Sequence, residues 1–152
     1  MINKTNLVLK ELFQCPHIPI ILLLGIENTR ITSEIHSLLP SIHMLTEYNS
    51  SNEERKLIFN NRSLGIPVLL TALDTSNLPP KCYLAQCDII ILTSYNARNC
   101  EMIFDMYQET NPPDWTLTEL QQTLKTAPNG LSINIYSGAV HILDYYTVPH
   151  LK

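Results

Sequence analysis

Basic residues are sparse in this 152-residue chain, which has 10 Lys and Arg against 14 Asp and Glu and a formal net charge of -4. They form no run anywhere along the sequence. Free-standing nucleic-acid binders neutralise phosphates with clustered cations. We therefore expect no direct binding to DNA or RNA unless a protein partner contributes to it.

Long apolar runs are also missing. The longest, at 18–26, is interrupted by Pro19, and it is much shorter than the about 20 residues that cross a bilayer. The first residues of the chain lack the pattern of a secretory signal. We therefore expect an intracellular protein that does not act at a membrane.

Cysteine and histidine do not form a metal-binding pattern. The four cysteines include no CxxC pair, and the five histidines show no ligand spacing. Zinc sites and disulfide frameworks both require such regular spacing. We expect reduced thiols, no bound metal and no disulfide framework.

The chain does contain strongly apolar segments that alternate with helix-like segments. Such alternation predicts strands joined by crossover helices into a largely parallel sheet. With 45% hydrophobic residues, the length fits one compact domain. We predict a single three-layer α/β domain over residues 1–152, with a mostly parallel sheet and a C-terminal β-hairpin at the sheet's edge.

The expected elements follow from periodicity and from helix-start signals. In chain order they are a helix within 1–14, a strand at 18–24, a helix at 30–39, a strand at 42–47, a helix at 52–63 closed by Gly65, strands at 66–73 and 87–94, helices after Asn96 and Thr116, and a hairpin around Ser137 and Gly138. Capping boxes at 51–54 and 116–119 mark two of the helix starts.

The segment ILLLGIENTRIT, residues 21–32, has the outline of a phosphate-binding loop. In that loop, G-x-x-x-x-G-K-[ST], glycines let backbone N–H groups wrap the phosphates and the Lys neutralises them. Gly25 and Thr32 occupy the first Gly and the hydroxyl positions, but Arg30 and Ile31 replace the second Gly and the Lys. Ile31 would put a branched hydrocarbon where a phosphate should lie. The alternative is a strand that runs into a helix without any ligand.

Four segments in this order resemble the poxvirus-type DNA-packaging ATPases, FtsK/HerA-related members of the additional-strand class of P-loop proteins. LLLGIENTRIT is similar to their Walker A strand and loop, and SIHMLTEYN to their Walker B strand. FNNRSLGIPVLLTALDTSNLPP is similar to the arginine and sensor strand, and CDIIILTSYNARNCEMIFDMY with LSINIYSGAVHILDY to the closing strand, helix and hairpin. The likeness covers about residues 16–145. The family topology places the strand at 18–24 between those at 66–73 and 87–94.

The resemblance also marks where the chemistry has been lost. Glu47 is the one acid left of two in the Walker B strand, Arg62 matches a characteristic arginine, and Ala72 replaces a polar sensor residue. Without the Lys, one acid and the sensor amide, the main electrostatic contributions to phosphoryl transfer are missing. We therefore expect no catalysis and no bound cofactor. The remnant nucleotide-site positions are Gly25, Arg30, Ile31, Thr32, Glu47, Arg62 and Ala72.

The resemblance thus implies a catalytically inactive packaging-ATPase-like viral protein with a structural or regulatory role. It would work in the host cytoplasm or nucleus, or in the virion. Its partner would be an active ATPase subunit, another viral protein, a host factor or a second copy of the chain.

Two alternatives remain open. One is a divergent NTPase of viral DNA packaging that uses ATP and Mg²⁺ with Arg30 and Glu47 as replacement residues. The other is an unrelated small α/β binding domain with a flavodoxin-like strand order. Trp115 likewise has two interpretations, as a packing anchor or as an exposed recognition residue.

Overall fold

The computed structural model describes residues 3–7, 19–25, 29–45, 58, 60–61, 63–73, 87–110, 114–127, 130–134 and 139–143. Side chains are described for the same residues except 3–7, 29–30 and 107–110. Within these ranges, no helix combines the length and the apolar character needed to cross a membrane.

One sheet organises the described chain. Its strands are β1 (Asn3–Leu7), β2 (Ile20–Leu24), β3 (His43–Leu45), β4 (Val68–Ala72), β5 (Ile89–Leu92), β6 (Leu131–Asn134) and β7 (Val140–Leu143). The helices with described bounds are α1 (Thr29–Leu38), α2 (Ala97–Thr110) and α3 (Leu117–Thr126). The described residues between 58 and 64 are also helical. The predicted α/β class is therefore confirmed.

The strands lie in the order β1-β7-β6-β5-β2-β4-β3. The neighbours from β5 to β3 run parallel, and so do β1 and β7. The β5–β6 and β6–β7 pairs are antiparallel. The sheet is thus mixed, because the C-terminal hairpin enters it with one strand reversed.

β2 lies between β4 and β5, which is the position predicted for the first apolar strand. β3, the next strand along the chain, pairs with β4. A flavodoxin-like sheet instead places its first strand between its second and third. The flavodoxin-like alternative is therefore wrong about the strand order.

Alternate residues of β2 enter two hydrophobic clusters on opposite faces of the sheet. Leu22 and Leu24 join the cluster that contains the buried residues of α2 and α3. Ile21 and Leu23 join the cluster that contains the buried residues of α1. Helices therefore cover both faces of the sheet, and the domain has three layers. Burial on both faces explains why the sequence of β2 is apolar at every position.

Two predicted helix boundaries are confirmed at the level of hydrogen bonds. At the start of α3, the Thr116 hydroxyl accepts from the Glu119 N–H at 3.1 Å, and the Thr116 N–H donates to a Glu119 carboxylate oxygen at 3.3 Å. The earlier helix ends at Gly65, whose φ is 72°. The Ile66 N–H donates to the Asn61 carbonyl at 2.9 Å, the bond typical of a helix closed by a left-handed glycine.

The N-terminal prediction was wrong over residues 3–7. These residues form β1, parallel to β7, rather than part of a helix. β1 also covers β7, so the C-terminal hairpin does not form the edge of the sheet. A short isolated helix is marginal in water, whereas an open strand edge offers a row of unpaired N–H and C=O groups.

Candidate functional site

The candidate site lies where β2 and β5 end side by side. The chain leaves β2 toward α1 on one face of the sheet and leaves β5 toward α2 on the other. In α/β sheets, ligands bind outside the carboxyl ends of strands at such a topological switch point. We call this region the switch-point edge and define it by Gly25, Leu73, Thr93, Ser94 and Asn99.

Gly25 follows β2 and has a backbone φ of 130°, which L side chains rarely adopt. Its N–H donates to the Ala72 carbonyl at 2.9 Å. A Cβ atom on Gly25 would lie 2.4 Å from the Thr93 hydroxyl and 2.8 Å from the Ser94 hydroxyl. The glycine is therefore required by close packing against the end of β5, and hydroxyl groups occupy the space beside it.

A second glycine, Gly130, packs against the end of β5 from the side of β6. Gly130 has φ 92°, and a Cβ there would lie 2.3 Å from the Leu92 carbonyl oxygen. The Thr93 N–H donates to the Leu24 carbonyl at 3.1 Å. The end of β5 is thus held between the end of β2 and the residue before β6. Sequence reasoning missed Thr93, Ser94 and Gly130, although two hydroxyl residues directly after a buried strand were a usable signal.

Ile31 is fully buried in the core rather than placed at the switch-point edge. It belongs to the cluster under α1, together with Ile35 and the β2 residues of that face. The expectation that its hydrocarbon takes the place of a phosphate is therefore corrected. Since α1 begins at Thr29, its first turn contains Arg30 and Ile31, the positions at which a phosphate-binding loop has its second Gly and its Lys. The Ile31 side chain faces the core.

The other predicted positions are only partly brought together. Ala72 ends β4 and meets Gly25 through its carbonyl, while its side chain packs against the core. Thr32 is half-buried on α1. The Arg30 side chain, Glu47 and Arg62 lie outside the described residues.

Asn99 is a buried polar residue that sequence reasoning did not single out. Its backbone N–H donates to the Asn96 side-chain oxygen at 3.1 Å, which caps the start of α2. Its side-chain amide N–H donates to the Leu73 carbonyl at 3.4 Å. In the described structure its Oδ1 has no hydrogen-bond partner. Asn99 therefore ties the end of β4 to the start of α2 and leaves one buried acceptor unused.

The opposite end of the sheet holds buried titratable groups with a structural role. A carboxylate oxygen of Asp88 accepts from the Ile20 N–H at 2.8 Å and closes the start of β2. Burial, and next the neighbouring Asp88, raises the pKa of the Cys87 thiol to about 12. Next to the switch-point edge, burial also raises the pKa of the Cys100 thiol, which follows Asn99 on α2, to about 11. Both thiols are neutral near pH 7 and are poor nucleophiles.

Trp115 is a packing residue. It is buried, and its ring lies 5.7 Å from the Phe104 ring at a tilt of 56°. The packing interpretation is confirmed, and exposed recognition is wrong. Among the described residues, no group of three or more His, Cys, Asp or Glu is arranged to hold a metal ion.

The switch-point edge thus presents hydroxyls, backbone groups and one amide, all of them neutral. Such groups donate and accept hydrogen bonds. Comparison of the chain with protein-family models, with curated proteins and with solved structures found no match.

Proposed function

We propose that the chain is a catalytically inactive relative of viral DNA-packaging ATPases and acts as a structural or regulatory protein-binding subunit. The observation that carries the proposal is the burial of Ile31 in the first turn of α1. That helix follows a strand set between β4 and β5, the order that the resemblance implies. The proposal therefore combines an ATPase-like strand order with a buried apolar residue at the sequence position of the phosphate-binding Lys.

The proposed loss of catalysis is supported by the neutral groups beside Gly25 and by the burial of Ile31. Phosphoryl transfer needs cations and N–H groups aimed at the phosphates. Next to Gly25, the space that a Cβ would enter is taken by the hydroxyls of Thr93 and Ser94. Ile31 packs in the core, so a Lys at this position would first have to leave the apolar cluster.

A scaffold without catalysis acts through its surface. Under the proposal its partner is an active ATPase subunit, another viral protein or a host factor, in the infected cell or in the virion. Two of the large apolar side chains that the described structure leaves exposed, Leu73 and Tyr95, lie at the carboxyl ends of the central strands. Exposed apolar groups of this kind are common in protein interfaces.

Nucleotide titration tests the catalytic half of the proposal. Thermal unfolding of the purified chain is followed with Mg-ATP and Mg-GTP up to millimolar concentration, beside a phosphate-release assay. A nucleotide at about 100 times its dissociation constant would raise the free energy of unfolding by about 2.7 kcal/mol, a shift of several degrees. We expect no shift and no turnover above the buffer blank.

The variant Thr32→Ala provides the control. Nucleotide turnover that Thr32→Ala abolishes would replace the proposal with the divergent NTPase, in which Arg30 supplies the missing charge. Turnover that the variant leaves unchanged would instead indicate a contaminating ATPase, and a further purification step would then remove it.

A further inference from the structure

A group of four apolar and cationic side chains lies around the carboxyl ends of β4 and β5. We call it the edge patch and define it by Leu73, Tyr95, Arg98 and Lys125. Leu73 is 58% exposed and Tyr95 is 41% exposed. Arg98 and Lys125 are exposed as well. Leu64, with 55% exposure, is a comparable leucine at the other end of β4.

The edge patch is held by three different elements. The Asn99 side chain donates to the Leu73 carbonyl and so joins the end of β4 to α2. The Lys125 ammonium lies 4.7 Å from the centroid of the Tyr95 ring and joins the end of α3 to the segment before α2. Arg98 lies in the first turn of α2. Contacts that hold side chains in place before a partner binds lower the entropic cost of association.

The charge of the edge patch opposes that of the whole chain. The chain carries a formal charge of -4, yet two of the four side chains of the edge patch, Arg98 and Lys125, are exposed cations. No acidic residue occurs in the first turn of α2, and the exposed Glu101 lies in the next turn. The Glu119 carboxylate is engaged in the capping box at the far end of α3. Local cations on an acidic protein favour an acidic partner segment.

We propose that the edge patch binds an acidic protein segment that carries an apolar anchor side chain. Its carboxylates would pair with Arg98 and Lys125, and its apolar side chain would pack on Leu73 and Tyr95. Tyr and Arg are enriched among the residues that dominate interface energies. This inference rests on the proposed function, because it names the surface and the chemistry of the protein partner.

A nucleic-acid strand fits the edge patch less well. Tyr95 offers a stacking face, but two cations release few counterions and would give weak binding to phosphates. An acidic peptide needs only two carboxylates to pair with Arg98 and Lys125, and its apolar side chain would also cover Leu73. Single-stranded DNA is therefore included as a competing outcome of the test.

The test starts from a display library of random peptides, which is selected for binding to the folded protein. Enriched peptides are synthesised, and their affinity is measured by fluorescence anisotropy at low and high salt. We expect Asp or Glu flanking an apolar residue, and affinity that falls as salt rises. Leu73→Ser and Lys125→Glu should each weaken binding about tenfold or more, as for central interface residues.

Leu64→Ser is the matched control, since it makes the same change on a leucine of similar exposure at the opposite end of the strand. It should leave affinity within about twofold. Circular dichroism and urea unfolding check that each variant folds, and Lys125→Met replaces Lys125→Glu if charge reversal prevents folding. Exposed substitutions of this kind usually change stability little.

Three results would overturn the inference: no enriched acidic peptide, equal weakening by Leu64→Ser and Leu73→Ser, or binding of an oligo-dT probe in place of peptides. The second of these results would place the bound peptides away from the edge patch and would leave the protein-binding role intact. Nucleotide turnover dependent on Thr32 would overturn the proposed function instead, so the two failures are distinguishable.

Discussion

A glycine at the end of a buried strand has two physical explanations. It leaves room for a ligand to approach the backbone, or it leaves room for a neighbouring part of the protein. At Gly25 the neighbour is the end of β5, with the Thr93 hydroxyl 2.4 Å from where a Cβ would lie. The residue therefore needs no phosphate to account for it.

Gly25→Ala should lower the free energy of unfolding by about 1–3 kcal/mol, because a side chain there is strained at φ 130° and collides with Thr93. Urea unfolding measures the loss. Gly65→Ala is the comparison, since φ is 72° there and the residue is exposed; about 1 kcal/mol is expected from backbone strain alone.

The collision itself is tested by adding Thr93→Ala to Gly25→Ala. If contact with the Thr93 side chain contributes, the double variant should recover part of the stability, and a double-mutant cycle measures that coupling. A loss for Gly25→Ala no larger than for Gly65→Ala, with no coupling to Thr93, would contradict the packing explanation.

Ile31 shows how one residue can support two interpretations from sequence. Within the predicted helix at 30–39, Ile31 and Ile35 lie one turn apart and so share one apolar face. The distance of Ile31 from Gly25, by contrast, matches that of the phosphate-binding Lys. The structure keeps the first, because Ile31 is fully buried beside Ile35. Helical periodicity is a local physical constraint, whereas a position in a short loop motif arises by chance more often.

At the scale of elements, α3 is the helix whose start the sequence predicts best. Thr116 and Glu119 satisfy each other's exposed backbone N–H groups, and Leu120 and Leu124 face the core. These interactions lie within one turn or one face of a helix, so the local sequence is enough to predict them.

Thr116→Ala should destabilise the protein by about 1 kcal/mol, because the first turn of α3 loses a side-chain acceptor for the Glu119 N–H. Thermal or urea unfolding measures this change, with Thr116→Ser as the control that keeps the hydroxyl. Equal losses for the two variants would show that the methyl group, rather than the capping bond, is responsible.

β1 is the element that local pattern could not predict. The sequence pattern predicts a helix within residues 1–14, but residues 3–7 pair with β7, far along the chain. The pairing depends on an open edge that exists only after β6 and β7 have joined β5. Strand propensity depends on context to a greater degree than helix propensity, so a nonlocal partner decides the outcome.

At the scale of the whole molecule, burial couples thiol ionisation to stability. The pKa of Cys87 is raised from 9.0 to about 12, chiefly by burial and further by Asp88. Below about pH 9 the folded and unfolded chains both hold the thiol proton, so this group does not change stability there. Above that pH the unfolded chain releases the proton first, and the unfolded state gains stability.

The free energy of unfolding should therefore fall between about pH 9 and about pH 12, by at most about 1.4 kcal/mol per pH unit for one thiol. Urea unfolding at a series of alkaline pH values measures the slope. Cys87→Ala lowers stability at every pH but should flatten the slope relative to the parent chain. An unchanged slope would assign the alkaline loss to other groups.

The amino-acid pattern was sufficient for the α/β class, for the buried strands β2, β4 and β5, and for the start of α3, because each depends on periodicity or on contacts a few residues apart. Long-range packing was needed for the reversed strand within a mixed sheet, for β1 at its edge, and for the meeting of Gly25 with Thr93 and Ser94. Those features join segments that are distant in the chain and become neighbours only when the sheet assembles.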